Sequence, residues 1–134
     1  MSFKEIPLMK LSEGTVLFHP YVSKNSFKNV KKVLSGRWIG QGPLVDRFEL
    51  KFKSMFGRQN QCLATGSGTD ALHLSYILAG LKKGDEVIAP LFTCTATNIP
   101  FLYMGVKIKF ADIDPETMNI SVDSVKKLIS KKTK

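Results

Sequence analysis

The chain has 134 residues, 43% hydrophobic and 23% charged, and carries a formal net charge of +9. These proportions exclude a wholly disordered chain, and the length suits one ordinary domain burying about two-thirds of the surface its unfolded form exposes. No apolar run approaches the ~20 residues that cross a bilayer, and the first residues, Met1-Ser-Phe-Lys-Glu-Ile-Pro, lack the apolar core of a signal peptide. The cytoplasm is therefore the expected location, with no membrane partner.

Residues 1 to 23, with Pro7, Gly14 and Pro20, read as an extended lead-in. Asn25 and Ser26 can cap a helix over about 26 to 35, ended by Gly36. A glycine-rich turn, GRWIGQGP (36 to 43), carries the single tryptophan. Leu44, Phe48, Phe52 and Met55 then mark the apolar stripe of a second helix over about 43 to 56, closed by Gly57.

From residue 60 the rhythm changes. QCLAT (61 to 65) reads as a strand, 68 to 81 as a helix and DEVIAP (85 to 90) as a second strand. A helix over 93 to 105 follows, in which Pro100 must sit in the first turns or introduce a kink. VKIKFADID (106 to 114) reads as a third strand, 115 to 121 as a turn and 122 to 129 as a last amphipathic helix. Alternating strands and helices predict βαβ units, a parallel sheet and an α/β fold. The loops after the three strands, Thr65-Gly66-Ser67, Ala89-Pro90-Leu91 and Asp112-Ile113-Asp114, would then open at one edge, where such sheets collect their sites.

A strand that delivers Gly66-Ser67-Gly68-Thr69 to a helix start presents unpaired amides and the positive end of the helix dipole to one small volume. A phosphate or carboxylate suits that volume, and so does an ordinary cap made by Ser67 or Thr69. No Gly-Lys-Ser/Thr follows, which excludes a triphosphate loop. GSGTDA (66 to 71) satisfies a relaxed dinucleotide pattern. The acidic residue that pattern expects at the end of the next strand is absent, because Asp85 and Glu86 open that strand and Pro90 closes it.

Other candidates have simpler readings. Thr93, Thr95 and Thr97 offer hydroxyls beside Cys94 and Asn98 that suit local caps as well as a ligand. Cys94 has no base near it in sequence to make it a nucleophile. His73, between Leu72 and Leu74, suits a packed position, and Asp112, Asp114 and Glu116 suit a turn better than a cation site. Cys62 and Cys94 read as free thiols, and with His19 and His73 they show no zinc-ligand spacing. Lys126, Lys127, Lys131, Lys132 and Lys134 supply five of the nine net charges without an acid among them, leaving +4 over residues 1 to 125. No aromatic residue interleaves this tail to stack on bases, so it reads as a solvated end and nucleic acid is not the expected partner.

GRWIGQGPLVDRFELKFKSMFG, GSGTDALHL and DEVIAPLFTCTATNIPFLYMGVKIKFADIDPETMNI occur in that order. Together they make residues 15 to 125 resemble the DegT/StrS family of pyridoxal-phosphate-dependent nucleotide-sugar aminotransferases. The resemblance implies the N-terminal part of an aspartate-aminotransferase-like (fold type I) large domain, a mostly parallel sheet with flanking helices. In that reading residues 1 to 59 are the lead-in and two helices, and 60 to 134 the βαβ part of the cofactor-binding domain. It implies pyridoxal 5'-phosphate as cofactor, with main-chain amides at Gly68, Thr69 and Asp70 on its phosphate, and Cys94 where the family places an aromatic ring against the pyridine. It also implies a nucleotide-linked keto sugar and an amino donor such as glutamate as substrates, and a homodimer. The Schiff-base lysine of the family and the aspartate facing the pyridine nitrogen match no position here, so these residues alone are expected to be inactive. Three alternatives remain open: part of a related sugar dehydratase, a non-catalytic phosphate-binding or interaction module, and nucleic-acid binding through the lysine tail.

Overall fold

The computed structural model describes residues 20–36, 38–57, 59 and 61–134. Most of the expected lead-in and His19 lie outside the described residues. The chain divides into two compact units, Met1–Arg47 and Phe48–Lys134.

The first unit holds helix α1, Ser26–Ser35, and the start of α2, Pro43–Phe56. Gly36 ends α1 as expected, its N–H donating to the Lys32 and Val33 carbonyls at 3.1 and 3.0 Å. The start of α1 differs from expectation: Asn25 occupies the capping position, but its side chain makes no cap bond. The preceding turn holds it instead, with the Ser26 N–H donating to the Ser23 carbonyl at 2.9 Å and the Asn25 N–H to Ser23 Oγ at 3.3 Å. A Cβ at Gly42 would lie 2.7 Å from Trp38 Cε3, so a larger residue there would push the exposed Trp38 ring aside.

In the second unit the remainder of α2 carries a run of rings, with Phe48 and Phe52 centroids 5.9 Å apart and Phe52 and Phe56 4.5 Å apart. Gly57 follows with φ of 107°, a left-handed conformation that suits glycine after a helix. Then come α3 (Gly68–Leu78), β1 (Glu86–Pro90), α4 (Thr95–Tyr103), β2 (Lys107–Ala111) and α5 (Val122–Leu128). β1 and β2 pair in parallel from Glu86 opposite Lys107 to Pro90 opposite Ala111, as the βαβ reading requires. Pro90 is accommodated because it ends its strand.

The core is small. Val87 and Ala89, two residues apart and so on one face of β1, are buried with Phe101 of α4 and Val106. Tyr76 stacks on Phe101 with centroids 4.1 Å apart, and Pro100 is fully buried inside α4. Pro100 sits in the second turn of α4, where its missing N–H interrupts the helical bonding but its ring fills the core.

Residues 61 to 65 are a correction: they form no strand. A strand exists only through its neighbour's hydrogen bonds, and among the described residues none runs beside them. Among the described residues the bond that ties them to another element runs from the Ala64 N–H to Glu49 Oε1 of α2 at 2.8 Å. The carboxy-terminal residues differ in the opposite sense. Thr133 forms a parallel bridge with Glu86, the Glu86 N–H donates to the Lys132 carbonyl at 3.2 Å, and the Lys134 N–H donates to the Glu86 carbonyl at 3.0 Å. The expected solvated tail is therefore tied to the start of β1 by one bridge.

Candidate functional site

The start of α3 is built from its own sequence. Ser67 has extended backbone (φ −155°, ψ 165°), and its Oγ accepts the Asp70 N–H at 3.1 Å while donating to Asp70 Oδ2 at 2.8 Å. This reciprocal pair, three residues apart, satisfies one of the free donors of the helix start and fixes the turn. The Ala71 N–H goes to the Ser67 carbonyl at 3.1 Å. The N–H groups of Gly68 and Thr69 have no acceptor among the described residues. Gly68 is exposed, and a Cβ added there would meet nothing within 4 Å. Two adjacent N–H donors without an acceptor among the described residues thus stand at the positive end of a helix of 11 residues.

The four residues expected to bind a cofactor fall into two places. Gly68, Thr69 and Asp70 form the first turn of α3, with the Asp70 amide already used by the cap. Cys94 is exposed and stands at the capping position of α4, where its carbonyl accepts the Thr97 N–H at 3.0 Å and its thiol makes no cap bond. The two helices pack together through the Tyr76 hydroxyl, which donates to the Thr97 carbonyl at 3.1 Å, and through the ring stack on Phe101. Burial raises the Tyr76 phenol above its ordinary value, which keeps it protonated as a donor. His73 is half-buried and tilted against Tyr103 at 6.4 Å, the packed position expected of it.

The ends of β1 and β2 lie side by side and open onto a cleft of about 540 Å³. Leu91, Phe92, Phe110 and Ile113 give it an apolar lining, with Asp112 and Ser124 at its polar side. Ser124 Oγ accepts the Asp112 N–H at 2.9 Å, which ties α5 to the end of β2. None of the four expected residues lines this cleft.

Two features of the strand ends escaped sequence reasoning. Asn98 donates from Nδ2 to the Pro90 carbonyl at 3.4 Å, while its Oδ1 is buried and has no donor among the described residues. The only sequence signal for it is a polar residue inside a short, mostly apolar helix. The second feature is the role of Glu49 in holding the segment before the glycine loop, a contact across 15 residues that no local pattern marks. At the third strand end, Asp114 Oδ1 accepts the Glu116 and Thr117 N–H groups at 3.0 and 2.9 Å and the Thr117 hydroxyl at 3.1 Å. These bonds, first those from Thr117, hold its carboxyl below the usual carboxylate range. Asp114 is thus occupied in the turn, and no three acidic, histidine or cysteine side chains gather to hold a metal ion among the described residues.

The chain is similar in sequence and fold to known proteins. The profile of the DegT/DnrJ/EryC1/StrS aminotransferase family matches residues 20–134. GDP-perosamine synthase of Vibrio cholerae is 34% identical over 119 residues, covering 88% of this chain and 32% of that protein. GDP-4-keto-6-deoxy-D-mannose 3-dehydratase of Escherichia coli O55:H7 is 31% identical over 113 residues, covering 81% of this chain and 29% of that protein. Among solved structures, the E. coli GDP-4-keto-6-deoxy-D-mannose-3-dehydratase with bound hydrated PLP superposes with a TM-score of 0.75 at 29% identity, covering 88% of this chain and 32% of that one. NtdA from Bacillus subtilis with bound cofactor PMP gives 0.73 at 28% identity, covering 84% and 27%. The chain therefore spans about a third of the length of the curated relatives it matches.

Proposed function

Because the chain belongs to the DegT/DnrJ/EryC1/StrS aminotransferase family, we propose that it forms the phosphate-binding part of a pyridoxal-phosphate site in a nucleotide-sugar aminotransferase. The observation that supports this reading is the pair of N–H groups at Gly68 and Thr69, which have no acceptor among the described residues at the start of α3. A phosphate dianion is the kind of ligand such donors and a helix dipole stabilise. In this reading Gly68 and Thr69 donate main-chain N–H groups to the phosphate. Asp70 holds Ser67, and with it the turn, in the geometry that aims them. Cys94, at the start of the neighbouring α4, offers a polarisable sulfur to the face of the cofactor ring.

When bound, the cofactor supplies the electron sink that amino-group transfer requires. The whole protein would move an amino group, with glutamate as the donor, to a keto carbon of a nucleotide-linked sugar, working as a homodimer in the cytoplasm. Residues 1 to 134 contain no lysine matching the family's catalytic position, so on their own they would hold cofactor without turning it over. A related dehydratase activity is the second reading, supported by the 3-dehydratase among the relatives. A non-catalytic module is the rival from another class.

Titration of the chain with pyridoxal 5'-phosphate and with pyridoxal, followed by borohydride reduction, tests the proposal. The expected result is binding of the phosphorylated form alone, competition by inorganic phosphate, and no adduct concentrated at one lysine. Equal binding of pyridoxal would remove the phosphate cradle, and a single modified lysine would remove the claim of inactivity.

A further inference from the structure

We propose that the amino-terminal end of the sheet is a basic surface that rests on an anionic phospholipid membrane. This reading is independent of the cofactor site. Three connections meet at that end, the turns over 79–85, 104–106 and 129–132. The Gly84 N–H donates to the Gly105 carbonyl at 3.0 Å, the Lys107 N–H to the Asp85 carbonyl at 2.8 Å, and the Glu86 N–H to the Lys132 carbonyl at 3.2 Å. They bring together Lys82 and Lys83 from the first turn, Lys107 from the start of β2, and Lys131, Lys132 and Lys134 from the segment around the Thr133 bridge, all six exposed. In sequence these lysines are spread over more than 50 positions, and only the pairing of the strands gathers them.

The acids at this end do not offset them. Glu86 Oε1 is paired with Lys109 Nζ at 2.7 Å and also accepts the Ser130 and Thr133 hydroxyls. That cluster fixes the lysine-rich segment against β1, so its charges are held in place. Asp85 Oδ2 accepts the Lys82 N–H at 3.0 Å and is the one remaining carboxylate among these turns.

Beside the lysines, at the end of α4, Leu102 is 64% and Tyr103 75% exposed, and the Gly105 N–H donates to the Leu102 carbonyl at 3.1 Å. A basic cluster flanked by an aliphatic side chain and a tyrosine fits the headgroup level of a bilayer, where charge attracts anionic lipid and the tyrosine ring enters the interface. A nucleic-acid duplex would take the same charges through its phosphates alone and would leave Leu102 and Tyr103 without a role. The surface would lie on a membrane, since no helix among the described residues is long and apolar enough to cross one.

The test is co-sedimentation of the chain with phosphatidylcholine vesicles containing or lacking phosphatidylglycerol, at low and high salt, with duplex DNA as competitor. Binding is expected only to the anionic vesicles, with loss at high salt. Each lysine near the surface contributes roughly fivefold, so a variant carrying Lys82→Gln, Lys83→Gln, Lys131→Gln and Lys132→Gln should lose at least about 100-fold in partition. A variant with Lys24→Gln, Lys28→Gln, Lys31→Gln and Lys51→Gln, the same change in net charge made on α1, on α2 and in the turn before α1, should keep its binding. Leu102→Ser with Tyr103→Ser should weaken binding at unchanged charge. Circular dichroism of each variant establishes that it is folded. No partition to anionic vesicles at low salt, equal loss in the two charge variants, or preferential capture by DNA would each overturn the proposal.

Discussion

Gly68→Pro separates the anion-binding role of the α3 start from its structural role. Gly68 is the first helical residue, the position where proline is best tolerated because its N–H has no partner within the helix. Ser67 before it is extended, the conformation a residue preceding proline prefers, and a Cβ at Gly68 meets nothing within 4 Å. The substitution should therefore leave α3 intact, and its smaller unfolded-state entropy should add about 0.4–1 kcal/mol of stability. It removes one of the two free donors. A hydrogen bond to a charged group contributes about 1.5–3 kcal/mol, so affinity for pyridoxal 5'-phosphate should fall roughly 10- to 150-fold. Gly68→Ala keeps the N–H and should keep the affinity. Absorbance titration measures the affinities, and thermal melting with far-ultraviolet circular dichroism measures the helix. If a well-folded Gly68→Pro chain binds the cofactor as tightly as the parent, the donors at Gly68 and Thr69 are not the phosphate site.

Two further outcomes test the packing and the charge network. Phe101→Ala removes a ring that is 6% exposed and stacked on Tyr76, and should cost about 3–5 kcal/mol, against under about 1.5 kcal/mol for Phe101→Leu; denaturant midpoints of the two variants check this. Glu86 is held below the usual glutamate range, first by its bond to Lys109 and then by that to Ser130. A depressed carboxylate stabilises the fold above its unfolded value, and that contribution is lost as pH falls through the folded one. Amide exchange at Glu86 and Lys134 should thus stay slow down to pH values below the ordinary glutamate range, then accelerate. Glu86→Gln should exchange faster than the parent at neutral pH and converge with it in acid, and equal protection at neutral pH would count against the cluster as the anchor of the carboxy-terminal bridge.

Local chemistry was legible in the sequence. Helix α1 was legible through its end at Gly36 and α2 through apolar spacing closed by Gly57, while the α3 cap, open in the sequence between Ser67 and Thr69, is made by Ser67. The Asp114 turn follows from an aspartate accepting bonds from residues two and three positions ahead. Each is decided by groups within about one helical turn, so composition and spacing are enough. The family itself was legible because its motifs are ordered runs of residues.

Tertiary structure decided what depends on a partner far along the chain. Residues 61 to 65 have the composition of a strand and form none, because no strand runs beside them among the described residues. Residues 130 to 134 look like a solvated tail and instead are tied to the start of β1 at Thr133, because Glu86 gathers Lys109, Ser130 and Thr133 across as many as 47 positions. The buried Asn98 acceptor and the lysines collected at one end of the sheet arise in the same way. Side-chain type and spacing record what a residue can bond to; only the fold determines which distant group arrives to complete the bond.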